Sequence, residues 1–295
     1  MGEMIPVASS QGVTVYCPAE GKFSFFNSLY PAHRLFTGID VYPERGFGDL
    51  TPSPIEGKVT LIRKVKCPRG RGFRDHGYDV VTLLMSTENP DRMIKVLHVE
   101  PSVERGEELE PGQELGTLIR SGYYGYATHP HVHVEIREPS DPLRARGGHT
   151  IRRLINVTPQ KPLDELRGTV TKNLPEYTLV RFEDVRGWGL PGFVGGVPGL
   201  LDGGIPYYGW LGAHTEEPPR GNEVRLCGRT IAEISETRDG TCVAKCTNFK
   251  FAIDGTSVGL SLYLHPRSRP EVVVVPPRLK GLLIEESSEI SITIG

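Results

Sequence analysis

The sequence has no excess of charge of either sign. Its 295 residues hold 34 lysines and arginines against 36 aspartates and glutamates, a formal net charge of -2 with histidine counted as neutral. Binding to nucleic acid or to an anionic membrane usually depends on a positive field, which a chain with this balance does not generate. We therefore expect neither nucleic acid nor a membrane among its partners.

Long apolar runs are also absent. No uninterrupted apolar stretch approaches the roughly 20 residues that a membrane-spanning helix needs. The N-terminal stretch MGEMIPVASSQGVTVY has no basic residue ahead of an apolar block, as a secretory signal would have. The sequence therefore predicts a soluble, cytoplasmic protein.

Cysteine is too scarce for a disulfide framework in a chain of this length. The five cysteines, without a secretory signal, are typical of reduced thiols. Cys242 and Cys246 in TCVAKCTN are spaced so that both could bind one metal ion, but no second pair accompanies them. Because free cysteines usually pack as small apolar side chains, we expect structural cysteines here and not a metal site.

No long stretch of the sequence follows a helical period. Short β-branched segments such as GKVTLIRKV, YDVVTLLMS and EVVVVP alternate with turn residues, drawn from 35 glycines and 25 prolines. This pattern predicts a mainly β protein. The best helical candidate is short and lies around PLDELRG, residues 162–168.

The length and a local change in composition predict two domains. A chain of 295 residues exceeds the usual size of one domain. The Pro/Arg/Gly-rich passage EPSDPLRARGGH precedes the helical candidate and is typical of a domain junction. We predict a β domain at residues 1–140, a linker with the short helix at 141–166, and a β-rich C-terminal domain of unknown role at 167–295.

Three histidines alternate in the stretch HPHVHVEIRE, residues 129–138. Alternate residues of a strand point to the same side, so His131 and His133 project together, and His129 joins them if the strand begins that early. Two adjacent imidazoles are half of a typical zinc site, which needs three protein ligands and, in an enzyme, an open position for water. Taken alone, the pair is as typical of hydrogen-bonded histidines as of metal ligands.

Two upstream residues are candidates to complete such a site. Asp40 ends the apolar stretch LFTGID, and His98 ends the strand-like run IKVLH. Each also has a purely structural interpretation, because an aspartate before a loop often caps a turn and a histidine in an apolar strand is often a hydrogen-bonded core residue. The two residues by themselves leave both interpretations open.

The order of these pieces resembles the lysostaphin-type zinc metallopeptidases over residues 33–138. The pieces are Asp40 in GID, the turn and strand PIEGKV, His98 at a strand end, the hairpin VERGEELEPGQELG, and HVHVEIR. Lipoyl-type and sugar-phosphotransferase carrier domains share the hairpin, so the specific part is the combination of Asp40, His98 and HVHVEIR. The resemblance implies a duplicated-hybrid-motif β-sandwich domain, followed here by a second β-rich region.

The resemblance also implies an activity and a role for each residue. Asp40 and His133 correspond to two zinc ligands, and His98 and His131 to the histidines that hold and polarise the substrate carbonyl and the attacking water. The implied activity is zinc-dependent hydrolysis of a peptide or other amide bond, with Zn²⁺ as cofactor. The family acts on peptidoglycan cross-bridges, which a cytoplasmic protein would not meet, so we expect a peptide or small amide substrate instead.

One position departs from the family pattern. The first ligand of the family is a histidine four residues before the aspartate, and that position is Phe36 here. His33 is the nearest substitute, but its odd spacing from Asp40 places it on the opposite face of a regular strand unless a bulge or loop redirects it. We take His33 as the third metal ligand, with His129 and His214 as the alternatives.

Three functions are compatible with these observations. The first is a zinc-dependent amide hydrolase that uses the ligands and catalytic histidines named above. The second is a non-catalytic β-rich binding or scaffold protein, in which Phe36 has closed the metal pocket. The third is a phosphohistidine carrier, which would use His98 and His131; a lipoyl carrier would need a lysine that the hairpin tip ELEPGQEL lacks. The sequence does not determine the oligomeric state.

Overall fold

The strands of the protein are short and are separated by turns at short intervals, as the sequence pattern predicts. A computed structural model describes residues 2–158, 160–277 and 281–295. Within these residues the chain forms 25 strands and one four-residue helix, α1 (Pro31–Arg34). The predicted fold class, a mainly β domain followed by a second β-rich region, is confirmed. No helix in the described ranges has the length and apolar character needed to cross a membrane.

The chain forms two units. The first comprises Met1–Phe23 and Tyr30–Ile155, and the second comprises Ser24–Leu29 and Asn156–Gly295. The strands up to residue 153 are β1 (Met4–Ser10), β2 (Val13–Pro18), β3 (Lys22–Ser24), β4 (Ile39–Tyr42), β5 (Leu50–Pro52), β6 (Gly57–Lys66), β7 (Tyr78–Met85), β8 (Met93–Leu97), β9 (Val99–Pro101), β10 (Glu108–Leu109), β11 (Glu114–Leu118), β12 (Val132–Arg137) and β13 (Arg152–Arg153).

The largest sheet of the first unit holds seven strands in the order β10-β6-β7-β8-β12-β4-β3. All residues of β12 and β4 are buried, so both faces of these strands are covered. A strand covered on both faces needs an apolar or a paired polar side chain at every position. Two three-stranded sheets, β13-β1-β2 and β5-β11-β9, complete the strand pairing of this unit.

The two faces of β12 differ in chemistry. Val134 and Ile136 pair in register with residues of β8 and contribute to an apolar face. The alternate residues of the same strand are polar and lie on the other face: His133, Glu135 and Arg137. Because side chains alternate along a strand, one buried strand supplies both a hydrophobic core and a polar line. His133, the predicted site residue of β12, belongs to this polar line.

The second unit is built on a sheet of twelve strands. These strands are β14 (Leu166–Asn173), β15 (Thr178–Phe182), β16 (Leu190–Val194), β17 (Val197–Ile205), β18 (Trp210–Thr215), β19 (Glu223–Leu226), β20 (Arg229–Arg238), β21 (Thr241–Cys246), β22 (Phe251–Ile253), β23 (Thr256–Leu262), β24 (Glu271–Val275) and β25 (Glu289–Ile294). Their order is β16-β19-β20-β21-β18-β17-β23-β22-β25-β14-β15-β24. The apolar side chains form one core cluster, in which Val180, Leu201 and Phe251 are fully buried.

A short segment from early in the chain, Ser24–Leu29, belongs to the second unit. The Ser24 hydroxyl and the amide of Phe25 both donate hydrogen bonds to the buried carboxylate of Asp202. Nε2 of His214 lies 3.2 Å from the same carboxylate. The segment is therefore held by a buried polar network and not only by apolar contact.

The region predicted as a linker, residues 141–166, has a different structure from the one expected. The boundary between the two units lies between Ile155 and Asn156, inside the predicted linker. Before it, β13 still pairs with β1 of the first unit. The short helix expected at 162–168 is not formed, because this stretch is a bend followed by β14. A helix of this length is unstable alone, whereas pairing of β14 with β15 and β25 satisfies its backbone groups.

Candidate metal centre

Asp40 and His133 lie side by side on neighbouring strands. Asp40 is the second residue of β4 and pairs in register with His133, the second residue of β12. Residues directly opposed in an antiparallel pair have adjacent side chains, and Nδ1 of His133 lies 2.7 Å from Oδ1 of Asp40. Both side chains are buried. Strand register alone therefore brings these two residues together.

Glu135 orients the His133 ring. It lies two residues further along β12, and its Oε1 is 3.3 Å from Nε2 of His133. Burial alone would raise the pKa of Glu135, but the hydrogen bond and charge of His133 and the charge of Lys95 lower it overall. Lys95 and Arg137 contact the two oxygens of this carboxylate at 2.8 and 3.1 Å. Because an ionised carboxylate only accepts hydrogen bonds, Nε2 of His133 carries a proton.

The other nitrogen of His133 faces a second acceptor. Nδ1 lies 2.7 Å from the Asp40 carboxylate, to which it donates a hydrogen bond when it carries a proton. Burial opposes ionisation of Asp40, but electrostatic interactions with the His131 and His33 rings and hydrogen bonds from His133 and His33 hold its pKa well below the usual value. The contact is a hydrogen bond while Nδ1 is protonated, and a metal ion bound by both residues would take the place of that proton.

His33 reaches the same carboxylate from a helical turn. It lies in α1 and is fully buried, with Nε2 3.3 Å from Oδ1 of Asp40. Phe36 has a φ of 61°, a left-handed conformation, so the chain before β4 is not a continuation of the strand. The odd spacing therefore does not keep His33 from the site. One ligand atom from each of His33, Asp40 and His133 lies within 4.8 Å of the others.

His131 lies next to this group. Its Nε2 is 3.6 Å from Oδ2 of Asp40, and its Nδ1 is 2.9 Å from the backbone oxygen of His129, to which it donates. Burial lowers the pKa of His131 to about 4, although the Asp40 carboxylate opposes the shift. The ring is therefore neutral near pH 7, with its lone pair at Nε2.

His98 directly follows β8, and its ring lies close to those of His131 and His133. Its ring centroid lies 5.0 Å from that of His131 and 6.2 Å from that of His133. Its Nδ1 lies 2.6 Å from Oδ2 of Asp79, a buried residue of β7. Burial would raise the pKa of Asp79, but the charge of His98 and hydrogen bonds from His98 and the Val80 amide lower it to about 2. Asp79 is therefore ionised and accepts the His98 proton donor.

The structure brings together in the first unit all five residues predicted for the site: His33, Asp40, His98, His131 and His133. Their ligand and catalytic roles stay predictions. The two alternatives for the third ligand are outside the group. The His129 ring lies 3.4 Å from Nζ of Lys22, and His214 is buried in the second unit beside Asp202.

Four further side chains build the site and were not candidates from the sequence: Asp79, Lys95, Tyr124 and Glu135. The Tyr124 ring packs on His98 and His131 with centroid distances of 4.9 and 5.0 Å. Glu135 has a signal in the sequence, because it lies two residues after His133 and so shares its strand face. Asp79 and Lys95 come from other strands, and the spacing within one segment carries no information about the register between strands.

The chain matches one family model and is similar to two solved structures of lysostaphin. The family model described as "Domain of unknown function (DUF8155) N-terminal domain" matches residues 14–153. No curated protein matches the chain. The NMR solution structure of lysostaphin has a TM-score of 0.24 and 14% identity, over 71% of this chain and 86% of that chain. The antimicrobial peptidase lysostaphin from Staphylococcus simulans has a TM-score of 0.27 and 14% identity, over 94% of this chain and 95% of that chain.

Proposed function

We propose that the protein is a zinc-dependent hydrolase of a peptide or other amide bond, with the metal held by His33, Asp40 and His133. One observation carries the proposal, namely that one ligand atom from each of these three residues lies within 4.8 Å of the others. The three side chains form a buried group of two imidazoles and one carboxylate. Two nitrogen ligands and one oxygen ligand are a donor set of catalytic zinc sites, which keep the fourth position for water.

The surroundings of the group support a metal with catalytic use. Zinc bound there supplies Lewis acidity toward the carbonyl oxygen of an amide. Glu135 accepts a hydrogen bond from Nε2–H of His133 and thereby increases the basicity of Nδ1 as a ligand. Lys95 and Arg137 neutralise the charge of Glu135. The negative charge of Asp40 is then the one that attracts a metal ion.

The two histidines beside the group can transfer protons. In His98 and in His131, Nδ1 donates to an acceptor, which is Asp79 for the first and the His129 backbone oxygen for the second. Nε2 is then the nitrogen that accepts a proton from water or returns one to the leaving amine. In this proposal both histidines orient the scissile amide and exchange protons with it.

A second candidate function is a non-catalytic binding protein with a closed polar core. Its support is the low accessibility of the group, since the side chains of His33 and Asp40 are 0% exposed and that of His133 is 2% exposed. A hydrolase must admit an amide to the metal, so the first function requires a covering segment to move when substrate binds. Tyr124 packs on His98 and His131, so its segment is the one best placed to move.

The metal content of the full-length protein tests the proposal. We expect elemental analysis to find about one zinc per chain after purification without chelator. Asp40→Asn and His133→Ala should each abolish metal binding. His149→Ala is the matched control, because it removes a half-buried histidine that pairs with the carboxylate of Glu138 outside the group. Full metal content in a variant carrying both Asp40→Asn and His133→Ala would contradict the assignment.

Cleavage of a library of internally quenched peptides separates the two candidate functions. A hydrolase should cleave some members in a zinc-dependent manner, and His98→Ala and His131→Ala should lose cleavage while they retain zinc. A protein that holds stoichiometric zinc and cleaves no member of the library would favour the non-catalytic function.

A further inference from the structure

A carboxylate outside the metal group binds His98 in two places. Asp79 is the second residue of β7 and is 1% exposed. Its Oδ2 accepts a hydrogen bond from Nδ1 of His98 at 2.6 Å, and its Oδ1 accepts one from the backbone amide of His98 at 3.0 Å. The ring and the backbone of one histidine are therefore both held by one buried carboxylate.

The two oxygens of Asp79 bind different groups. Oδ1 also accepts the backbone amide of Val80 at 2.7 Å, so two N–H groups converge on it. Oδ2 faces the imidazole of His98. Any side chain that replaces Asp79 with the same shape must therefore keep an acceptor at the Oδ1 position, since an unsatisfied buried amide is costly.

The backbone of His98 has a conformation that residues with a side chain seldom adopt. Its φ is 74°, in the left-handed region. Such a conformation is unfavourable and persists where the surrounding structure imposes it, often at functional sites. The Asp79 carboxylate holds both the backbone amide and the ring of His98 in this conformation.

We propose that Asp79 is a positioning residue, which fixes the His98 ring as its Nδ1–H tautomer and leaves the Nε2 lone pair to exchange a proton with the substrate. An ionised carboxylate offers only acceptors, so Nδ1 must be the donor. The neutral ring then has Nε2 as its basic nitrogen. The catalytic part of this inference rests on the proposed amide hydrolysis, whereas the tautomer itself does not.

Nitrogen NMR of the histidine rings in the full-length protein reads the tautomer directly. We expect the neutral His98 ring of the unsubstituted protein to carry its proton on Nδ1. In Asp79→Asn the amide oxygen must occupy the Oδ1 position, because the amides of Val80 and His98 point there. The NH₂ group then faces Nδ1, and a donor in that place moves the ring proton to Nε2. The substitution should therefore reverse the tautomer.

Asp75→Asn is the matched control for this measurement. The Asp75 carboxylate also accepts two backbone amides, from Gly70 and Gly77, but its charged partner is Arg69. We expect this variant to leave the His98 tautomer unchanged. A proton on Nε2 of His98 in the unsubstituted protein, or on Nδ1 in Asp79→Asn, would overturn the proposal.

Zinc content and turnover distinguish the positioning role from a merely structural one. We expect Asp79→Asn to keep the zinc content of the unsubstituted protein, and to lower kcat for a peptide found in the quenched library by about 100-fold or more with little change in KM. Loss of zinc in this variant would show that Asp79 supports the metal group instead of His98, and would overturn the inference. If the unsubstituted protein neither binds zinc nor cleaves a peptide, the proposed function fails, and the tautomer measurement still decides the role of Asp79.

Discussion

Gly38 limits how the His133 ring is packed. A Cβ atom on Gly38 would lie 2.9 Å from Cε1 of His133 and 2.9 Å from Cβ of Ala32. These distances are shorter than atoms in contact adopt, so the ring would have to shift. It cannot do so freely, because Asp40 and Glu135 hold its two nitrogens. The absence of a side chain at residue 38 is therefore a condition for the ring orientation of a proposed ligand.

Gly38→Ala should tilt the His133 ring and weaken metal binding. We expect the affinity for zinc to fall by about 10-fold or more, as when the orientation of a ligand histidine is disturbed. Overpacking should also lower the free energy of unfolding by about 1–3 kcal/mol. Zinc titration and chemical denaturation measure the two effects. Gly221→Ala is the control, since a Cβ there meets no atom closer than 3.9 Å; equal zinc affinity in all three proteins would contradict this explanation.

In the proposed site, His33 takes the place of the ligand that the family pattern puts at residue 36. Phe36 is buried, and its left-handed φ of 61° puts it outside the strand alternation that fixes the direction of Asp40. His33, in the preceding helical turn, supplies a nitrogen 3.3 Å from Asp40. In the proposed site, a short helix thus positions the ligand that a longer first strand would position in the family pattern.

A histidine at residue 36 should therefore be unable to replace His33 in zinc binding. We expect His33→Ala to weaken zinc binding by about 100-fold or more, because it removes one of the three proposed ligands. Removing a ligand costs more affinity than removing a residue that only hydrogen-bonds to a ligand. Adding Phe36→His to that variant should not restore binding, because residue 36 lies outside β4. Zinc titration of the two variants, each shown to be folded by circular dichroism, measures this. Restored affinity in the double variant would show that residue 36 faces the group after all.

The five proposed site residues could be named from the sequence, but the turn and the strand register that bring them together and join them to Asp79 could not. Asp40 and His133 follow from alternation within a strand and from the resemblance to a known family. His33 depends on a turn conformation that spacing does not encode, and Asp79 depends on the pairing of β7 with β8. The same limit explains residues 162–168, where pairing with distant strands outweighs the local helical preference.

The chain passes between its two units more than once. The segment at residues 24–29 contributes to the second unit, although its neighbours on both sides contribute to the first. Phe26 is fully buried, and a Cβ on Gly212 would lie 1.8 Å from its ring, so the ring fills the space beside that glycine. Asp202 accepts hydrogen bonds from the same segment. The core of the second unit therefore includes a piece that is distant in sequence.

A fragment of residues 156–295 should consequently be much less stable than the same unit in the intact chain. It lacks the Phe26 ring, at a cost of about 3–5 kcal/mol as for Phe→Ala in a core, and it lacks two donors to the buried Asp202, at about 1–3 kcal/mol. A synthetic peptide of residues 22–31 should raise the midpoint of thermal unfolding of this fragment by mass action, and the same peptide with Phe26→Ala should not. If neither peptide changed the midpoint, the segment would contribute nothing to the core, and the fold of the second unit would depend only on the residues that follow the first.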